Sequence, residues 1–101
     1  MSETYLKTKV MKALKRKFGR DIFFFKVHGS EYMMNGLPDI ICCYLGAFVG
    51  LELKDGTKKP TPVQILRKNQ ITRAGGISVI IYSVEEAIAA VESSQPRYPT
   101  C

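Results

Sequence analysis

The chain has one histidine and three cysteines in 101 residues. No C-x-x-C pair is present, so the usual zinc-ligand spacings are excluded. Cys42 and Cys43 are neighbours, and Cys101 is the last residue. On a strand the first two point to opposite faces, so they do not build a disulfide framework. A reducing, intracellular (cytoplasmic) setting is therefore expected. No apolar run reaches membrane-spanning length, and no signal-peptide pattern opens the chain. A soluble protein without a membrane partner is expected. Acidic residues are also scarce, nine Asp and Glu against fifteen Lys and Arg, for a net charge of +6. That surplus favours an acidic partner, and nucleic acid is the commonest one; a solvated basic surface also accounts for it. The length suits one small domain, and an apolar content of 46% supplies an ordinary core.

What is present reads as alternating helices and strands. Leu6, Val10, Leu14 and Phe18 recur every four residues, one apolar stripe of a helix over 3–18. Ser2 can cap it and Gly19 can end it. Ile22 to Val27 is rich in aromatic and β-branched residues and predicts a strand. A loop over 28–37 leads to a second strand from Asp39 to Tyr44. A tight turn at Leu45-Gly46-Ala47 then makes a hairpin with a third strand, Phe48 to Lys54. After a polar, basic loop, Thr61-Pro62-Val63-Gln64 has the form of a capping box with proline at the first helical position. Val63, Leu66, Ile71 and Ala74 give that helix an apolar stripe, and Gly75-Gly76 stops it. Ile77 to Tyr82 predicts a fourth strand. Ser83-Val84-Glu85-Glu86 is a second capping box, opening a helix that buries Val84, Ala87, Ile88 and Val91. The order is α-β-β-β-α-β-α, an α/β fold with a mixed four-stranded sheet and flanking helices. One domain over 1–93 is expected, followed by a loose tail over 94–101 that holds two prolines and no periodicity.

Two short stretches carry chemistry. Gly36-Leu37-Pro38-Asp39 sets a carboxylate at the start of an apolar strand. Leu51-Glu52-Leu53-Lys54 sets a carboxylate and a lysine two positions apart, hence on one face of the next strand. The hairpin makes the two strands neighbours, so Asp39 and Glu52 can converge. Hydrolysis of a phosphodiester needs charge neutralised on the phosphate and a water activated, and Mg²⁺ or Mn²⁺ can serve both needs. Such hard ions take carboxylate oxygens at about 2.0–2.1 Å. Lys54 can orient the water or stabilise developing negative charge. A bare E-x-K is more often a surface ion pair; the preceding Pro-Asp, the hairpin and the following helix favour a metal-dependent site.

With these motifs the chain resembles the PD-(D/E)xK nucleases of restriction-endonuclease-like fold, and within them the virus-type replication-repair nuclease (VRR-NUC) branch. The shared stretches are Gly36 to Asp39, Leu51 to Lys54, Thr61 to Gln64, the Gly75-Gly76 stop and strand 77–82, together spanning about residues 3–92. The resemblance implies a Mg²⁺- or Mn²⁺-dependent DNA nuclease of a bacterial or phage-infected cell. It also implies a structure-selective enzyme that acts on four-way junctions as a homodimer. It makes Asp39 and Glu52 metal ligands, adds the backbone carbonyl of Leu53, and makes Lys54 the catalytic lysine. Gln64 matches a glutamine at the start of the following helix, where the capping-box role also fits. Glu3 matches an acid on the first helix that often completes the site. Its spacing from Leu6, Val10 and Leu14 turns it inward, while a favourable charge at a helix N-terminus explains it as well.

Around these residues the sequence leaves choices. Lys26, His28 and Ser30 can contact phosphate or organise their loop, though a lone loop histidine is more often solvated. Lys58 and Lys59 flank the site entrance and can hold DNA backbone or belong to a solvated loop; backbone contacts would bring salt dependence rather than sequence choice. Tyr32-Met33-Met34 reads first as core, then as a dimer contact or a wedge against bases. A general or flap nuclease of the same fold and a non-catalytic nucleic-acid-binding module are the competing functions.

Overall fold

The computed structural model describes residues 2–94; the expected tail, from residue 95 on, and Cys101 lie outside the described residues. Helix α1 runs Glu3–Phe18, and the Ser2 side chain accepts a hydrogen bond from the Tyr5 N–H at 3.2 Å. Leu6, Val10, Leu14 and Phe18 are all buried, as their spacing predicts. Each such side chain contributes about 1.5–3 kcal/mol by leaving water. A short 3₁₀ turn, Gly19–Asp21, leads into strand β1, Ile22–Lys26. Strands β2 (Ile40–Tyr44) and β3 (Ala47–Leu53) follow, then helix α2 (Pro62–Arg73), strand β4 (Ile77–Ile81) and helix α3 (Val84–Glu92). The sheet order is β1-β2-β3-β4, antiparallel except for the parallel β3–β4 pair. Among the described residues no helix is long and apolar enough to cross a membrane.

Register divides the sheet into two unlike faces. Phe24, Cys42, Val49 and Ile77 align across the four strands, as do Ile40, Leu51 and Val79. This face meets α1 and α3 and forms the core with Leu6, Val10, Leu14, Ala87 and Val91. Burial also pushes the Cys42 thiol up to about 12, with a smaller contribution from Cys43, so it stays an inert apolar side chain. The other face carries Phe23, Cys43 and Phe48 in one row and Phe25, Ile41, Gly50 and Ser78 in the next. Helix α2 lies on this side and packs against β4.

Two expectations are corrected here. No residue of α2 is fully buried, and Leu66 and Ala74 are exposed. Val63 and Ile71 of the expected stripe do turn inward, and Arg67 lies between them in place of Leu66 and Ala74, its Nε donating to the Asn35 carbonyl at 2.7 Å. At α3, Ser83 Oγ accepts from the Glu86 N–H, but Glu86 Oε1 takes the Tyr82 N–H at 2.7 Å rather than that of the capping residue.

The β2–β3 turn is tighter than its three expected residues. Ala47 pairs with Tyr44, leaving Leu45 and Gly46 at φ 49° and 89°. Positive φ at both central residues marks the turn that matches strand twist, where Asn-Gly is the favoured pair. Leucine is strained there and half-exposed, so its side chain gives little back. Leu45→Asn is expected to stabilise the fold by about 0.5–1 kcal/mol, raising Tm by a few degrees. An unchanged or lower Tm in thermal denaturation would show that Leu45 recovers the cost by packing.

Candidate active site

Asp39 precedes β2 yet is fixed as firmly as a strand residue. Its N–H donates to the Leu51 carbonyl at 2.9 Å, and its own carbonyl accepts from the Val27 N–H at 2.9 Å. Its carboxylate then takes the Leu53 N–H on Oδ2 at 2.8 Å. Buried Pro38 sets the approach. A Cβ on Gly50 would lie 2.6 Å from Pro38 Cγ, so a glycine inside β3 makes room for the proline beside the acid. Gly36, at φ 79°, crosses the start of α2 so closely that a Cβ would lie 2.7 Å from the Val63 carbonyl oxygen. The loop is thereby seated on the helix that carries Gln64.

Glu52 lies on the α2 side of β3 and is only 6% exposed. Its Oε2 receives a hydrogen bond from Gln64 Nε2 at 2.9 Å and sits 3.6 Å from Lys54 Nζ. Lys54 is equally buried, and its N–H donates to the Ile81 carbonyl just past the end of β3. Gln64 serves both of the roles open to it. Its Oε1 accepts from the Thr61 N–H at 2.9 Å, closing the capping box, while its Nε2 holds the glutamate. One side chain thus fastens the start of α2 to the site.

Burial pushes Glu52 up to about 8, and the neighbouring Asp39 carboxylate adds to the rise through its charge and a shared hydrogen bond; Lys54 opposes both. Burial and the neighbouring acid therefore disfavour the ionised form of Glu52 more than Lys54 favours it. Gln64 and Lys54 both approach Glu52 Oε2, and Leu53 holds Asp39 Oδ2. The remaining oxygens, Asp39 Oδ1 and Glu52 Oε1, are hard donors of the kind Mg²⁺ and Mn²⁺ take. Two adjacent carboxylates, each with one oxygen held by the fold, fit such an ion by their donor chemistry.

The other expected residues are placed differently. Glu3 is half-buried and pairs with Lys58 at 3.4 Å, and Lys58 also reaches Asp55 at 3.7 Å. Among the described residues no three His, Cys, Asp or Glu side chains gather as a metal site, so Glu3 does not join Asp39 and Glu52 in one cluster. Lys26, His28, Ser30 and Lys59 are exposed. Tyr32-Met33-Met34 is not core: Tyr32 is 91% exposed and its two neighbours are exposed as well. The loop is anchored at Asn35 and Gly36 on α2, which leaves its apex outside the fold. Sequence reasoning missed Lys7, whose Nζ lies 3.9 Å from Asp39 Oδ1. Its signal was the i,i+4 spacing from Glu3. Gly50 was missed too, although a glycine within a strand often marks a close approach.

A solved structure described as a VRR_NUC domain protein superposes with a TM-score of 0.72, covering 93% of this chain and 88% of its own at 21% identity. The chain has the VRR_NUC fold. A second, described as a VRR_NUC domain, gives a TM-score of 0.66 over 87% of this chain and 96% of its own at 22% identity. No family model and no curated protein matches the sequence. On this VRR_NUC-type scaffold the two carboxylates sit where the antiparallel pair β2–β3 meets the start of α2.

The raised Glu52 gives a pH test. Between about 4.5 and about 8 the folded metal-free protein holds a proton that the unfolded chain has lost, so stability falls as pH rises through that window. Denaturant midpoints in EDTA are expected to drop from pH 5 to pH 8 for wild type and far less for Glu52→Gln. If the two acids hold a cation, added Mn²⁺ at pH 8 should restore the wild-type midpoint by binding the folded form alone. A wild type and variant with the same pH dependence would exclude this account of Glu52.

Proposed function

We propose that this protein is a Mg²⁺- or Mn²⁺-dependent DNA endonuclease of the PD-(D/E)xK type. The observation that carries the reading is the pairing of Asp39 with Glu52 beside buried Lys54, with Gln64 and the Leu53 N–H fixing one oxygen of each acid. Asp39, Glu52 and the backbone carbonyl of Leu53 would hold the cation. Bound there, it would neutralise charge on the scissile phosphate and lower the pKa of a water. Lys54 orients that water or stabilises the charge that develops as phosphorus is attacked. Lys26, Ser30, Lys58 and Lys59 grip DNA backbone, which gives affinity without reading sequence. Glu3 contributes as a further acid only if Lys58 releases it.

The DNA is branched, and the active form is a homodimer. One site cuts one strand, so paired cuts across a four-way junction need two sites related by symmetry. A surface for that pairing is available on the half of the sheet that α2 does not cover. Phe23 is 69% exposed and Phe25 48%, and their rings lie 6.1 Å apart. Cys43 and Phe48 continue the row on β2 and β3, and the row contains no charged side chain. An apolar partner suits it better than a phosphate backbone does.

Cleavage of single strand, linear duplex, flap and four-way junction with Mg²⁺ or Mn²⁺ tests the activity. The junction should be cut fastest, and Lys54→Ala should cut it about 10²–10⁴-fold more slowly. Asp39→Ala should bind junction without cutting it. Equal cutting of all four substrates would reject junction selectivity, and undiminished Lys54→Ala would reject the site. A wild type that binds but cuts nothing would make the protein a binding module. For the dimer, sedimentation at micromolar concentration should show a two-chain species that Phe23→Glu converts to one chain. The same variant should nick a junction on one strand without the paired second cut. A monomeric wild type would overturn the dimer.

A further inference from the structure

Helix α1 carries lysines at 7, 9, 12, 15 and 17, and four of them are exposed. Lys17 pairs with Glu92 on α3, and Lys9 lies over the Tyr5 ring. Lys7 differs. It shares the flank of Glu3 and Met11, spaced four residues either way, and its side chain is only 26% exposed. Its ammonium points at Asp39 Oδ1, the oxygen that the Leu53 N–H does not hold.

The distance is informative. At 3.9 Å the contact is too long for a hydrogen bond, so the attraction is Coulombic and the long stem is not locked. A partly exposed pair of this kind contributes little stability. Asp39 Oδ1 is also one of the two oxygens open to a divalent cation. An ammonium and such a cation beside one carboxylate oxygen repel each other. With the cation present, Lys7 is pushed toward the next anion within reach, and at a nuclease site that anion is the phosphate of the bound strand. Lys54 approaches from the other carboxylate, at Glu52 Oε2. The two lysines therefore flank the carboxylate pair from α1 and from β3.

Building on the nuclease reading, we propose that Lys7 is a phosphate-contacting residue of the active site, resting against Asp39 in the metal-free protein and moving to a non-bridging oxygen of the bound strand's phosphate when cation and DNA are present. No bond is made or broken by Lys7. It supplies one positive charge and hydrogen-bond donors to the phosphate.

The full chain tests this by binding rather than turnover. Ca²⁺ replaces Mg²⁺ so that junction DNA is bound without being cut, and fluorescence anisotropy is recorded across a salt series. Calorimetric titration of Mn²⁺ without DNA is run alongside. Lys7→Gln and Lys7→Met, the second keeping the apolar stem, should each weaken DNA binding about 5–20-fold and lower the salt slope by about 1. Lys7→Arg should restore affinity to within about twofold, because it keeps the charge and donors. If wild type binds Mn²⁺ and DNA while both neutral variants match it in DNA affinity and slope, Lys7 is a structural residue and the proposal falls alone. If wild type binds neither Mn²⁺ nor DNA, the nuclease reading falls and takes this assignment with it.

Discussion

The hydrogen bond from the Leu53 N–H to Asp39 Oδ2 is the contact on which the site depends. It lies just before β2 begins, where a strand N–H would otherwise look for a carbonyl. A carboxylate takes that place. One of its oxygens is then spent on the fold, and the acid is aimed by the sheet itself rather than by a flexible side chain. Pro38 on Gly50 and Gly36 on Val63 serve the same end, because they fix how the chain enters Asp39. Moving any of these would move the acid before it changed the core, which lies on the opposite face of the sheet.

Stability alone does not call for this arrangement. A buried glutamate beside another acid is costly to ionise, and an apolar residue of similar volume would remove that cost. The protein answers with one lysine for each acid, Lys54 at Glu52 and Lys7 at Asp39. Neither solution is complete, since Glu52 is still held well above the usual carboxylate range. An incompletely neutralised pair inside an otherwise consistent fold is the kind of local conflict that marks a functional site. The divalent cation proposed for this site would give both acids one charge-dense partner, which a third lysine could not do without crowding the first two.

How much of this the sequence carried depends on the range of the signal. Leu6, Val10, Leu14 and Phe18 were legible because helical period and burial coincide, and all four are core. Asp39, Glu52 and Lys54 were legible because a short hairpin converts sequence spacing into spatial neighbourhood. Local pattern made Gln64 a cap and the family resemblance made it a site residue; its bond to Glu52 depends on where α2 lands, which no local pattern fixes. The expected stripe of α2 held at Val63 and Ile71 and failed at Leu66 and Ala74 for the same reason, since Arg67 and Gln64 orient the helix by polar contacts that periodicity ignores. Tyr32 to Met34 misled because apolar composition was taken for burial, whereas the loop's anchors at Asn35 and Gly36 hold its apex out. Lys7 is one of five lysines on α1 and is set apart only by which way its flank of the helix turns.

The placement of α2 also explains why so small a fold keeps an apolar surface. Among the described residues two helices, α1 and α3, cover one face of the sheet, and α2 alone serves the other. Gln64 must reach Glu52, and Gly36 must pass over Val63, so α2 is held toward the β3–β4 side. It cannot slide over β1 and β2 without breaking the contacts that organise the carboxylates. The bare row from Phe23 to Phe48 is therefore a consequence of building the site. A second copy of the chain, as proposed above, would cover it and leave the carboxylate pair of each copy free on its own α2 side.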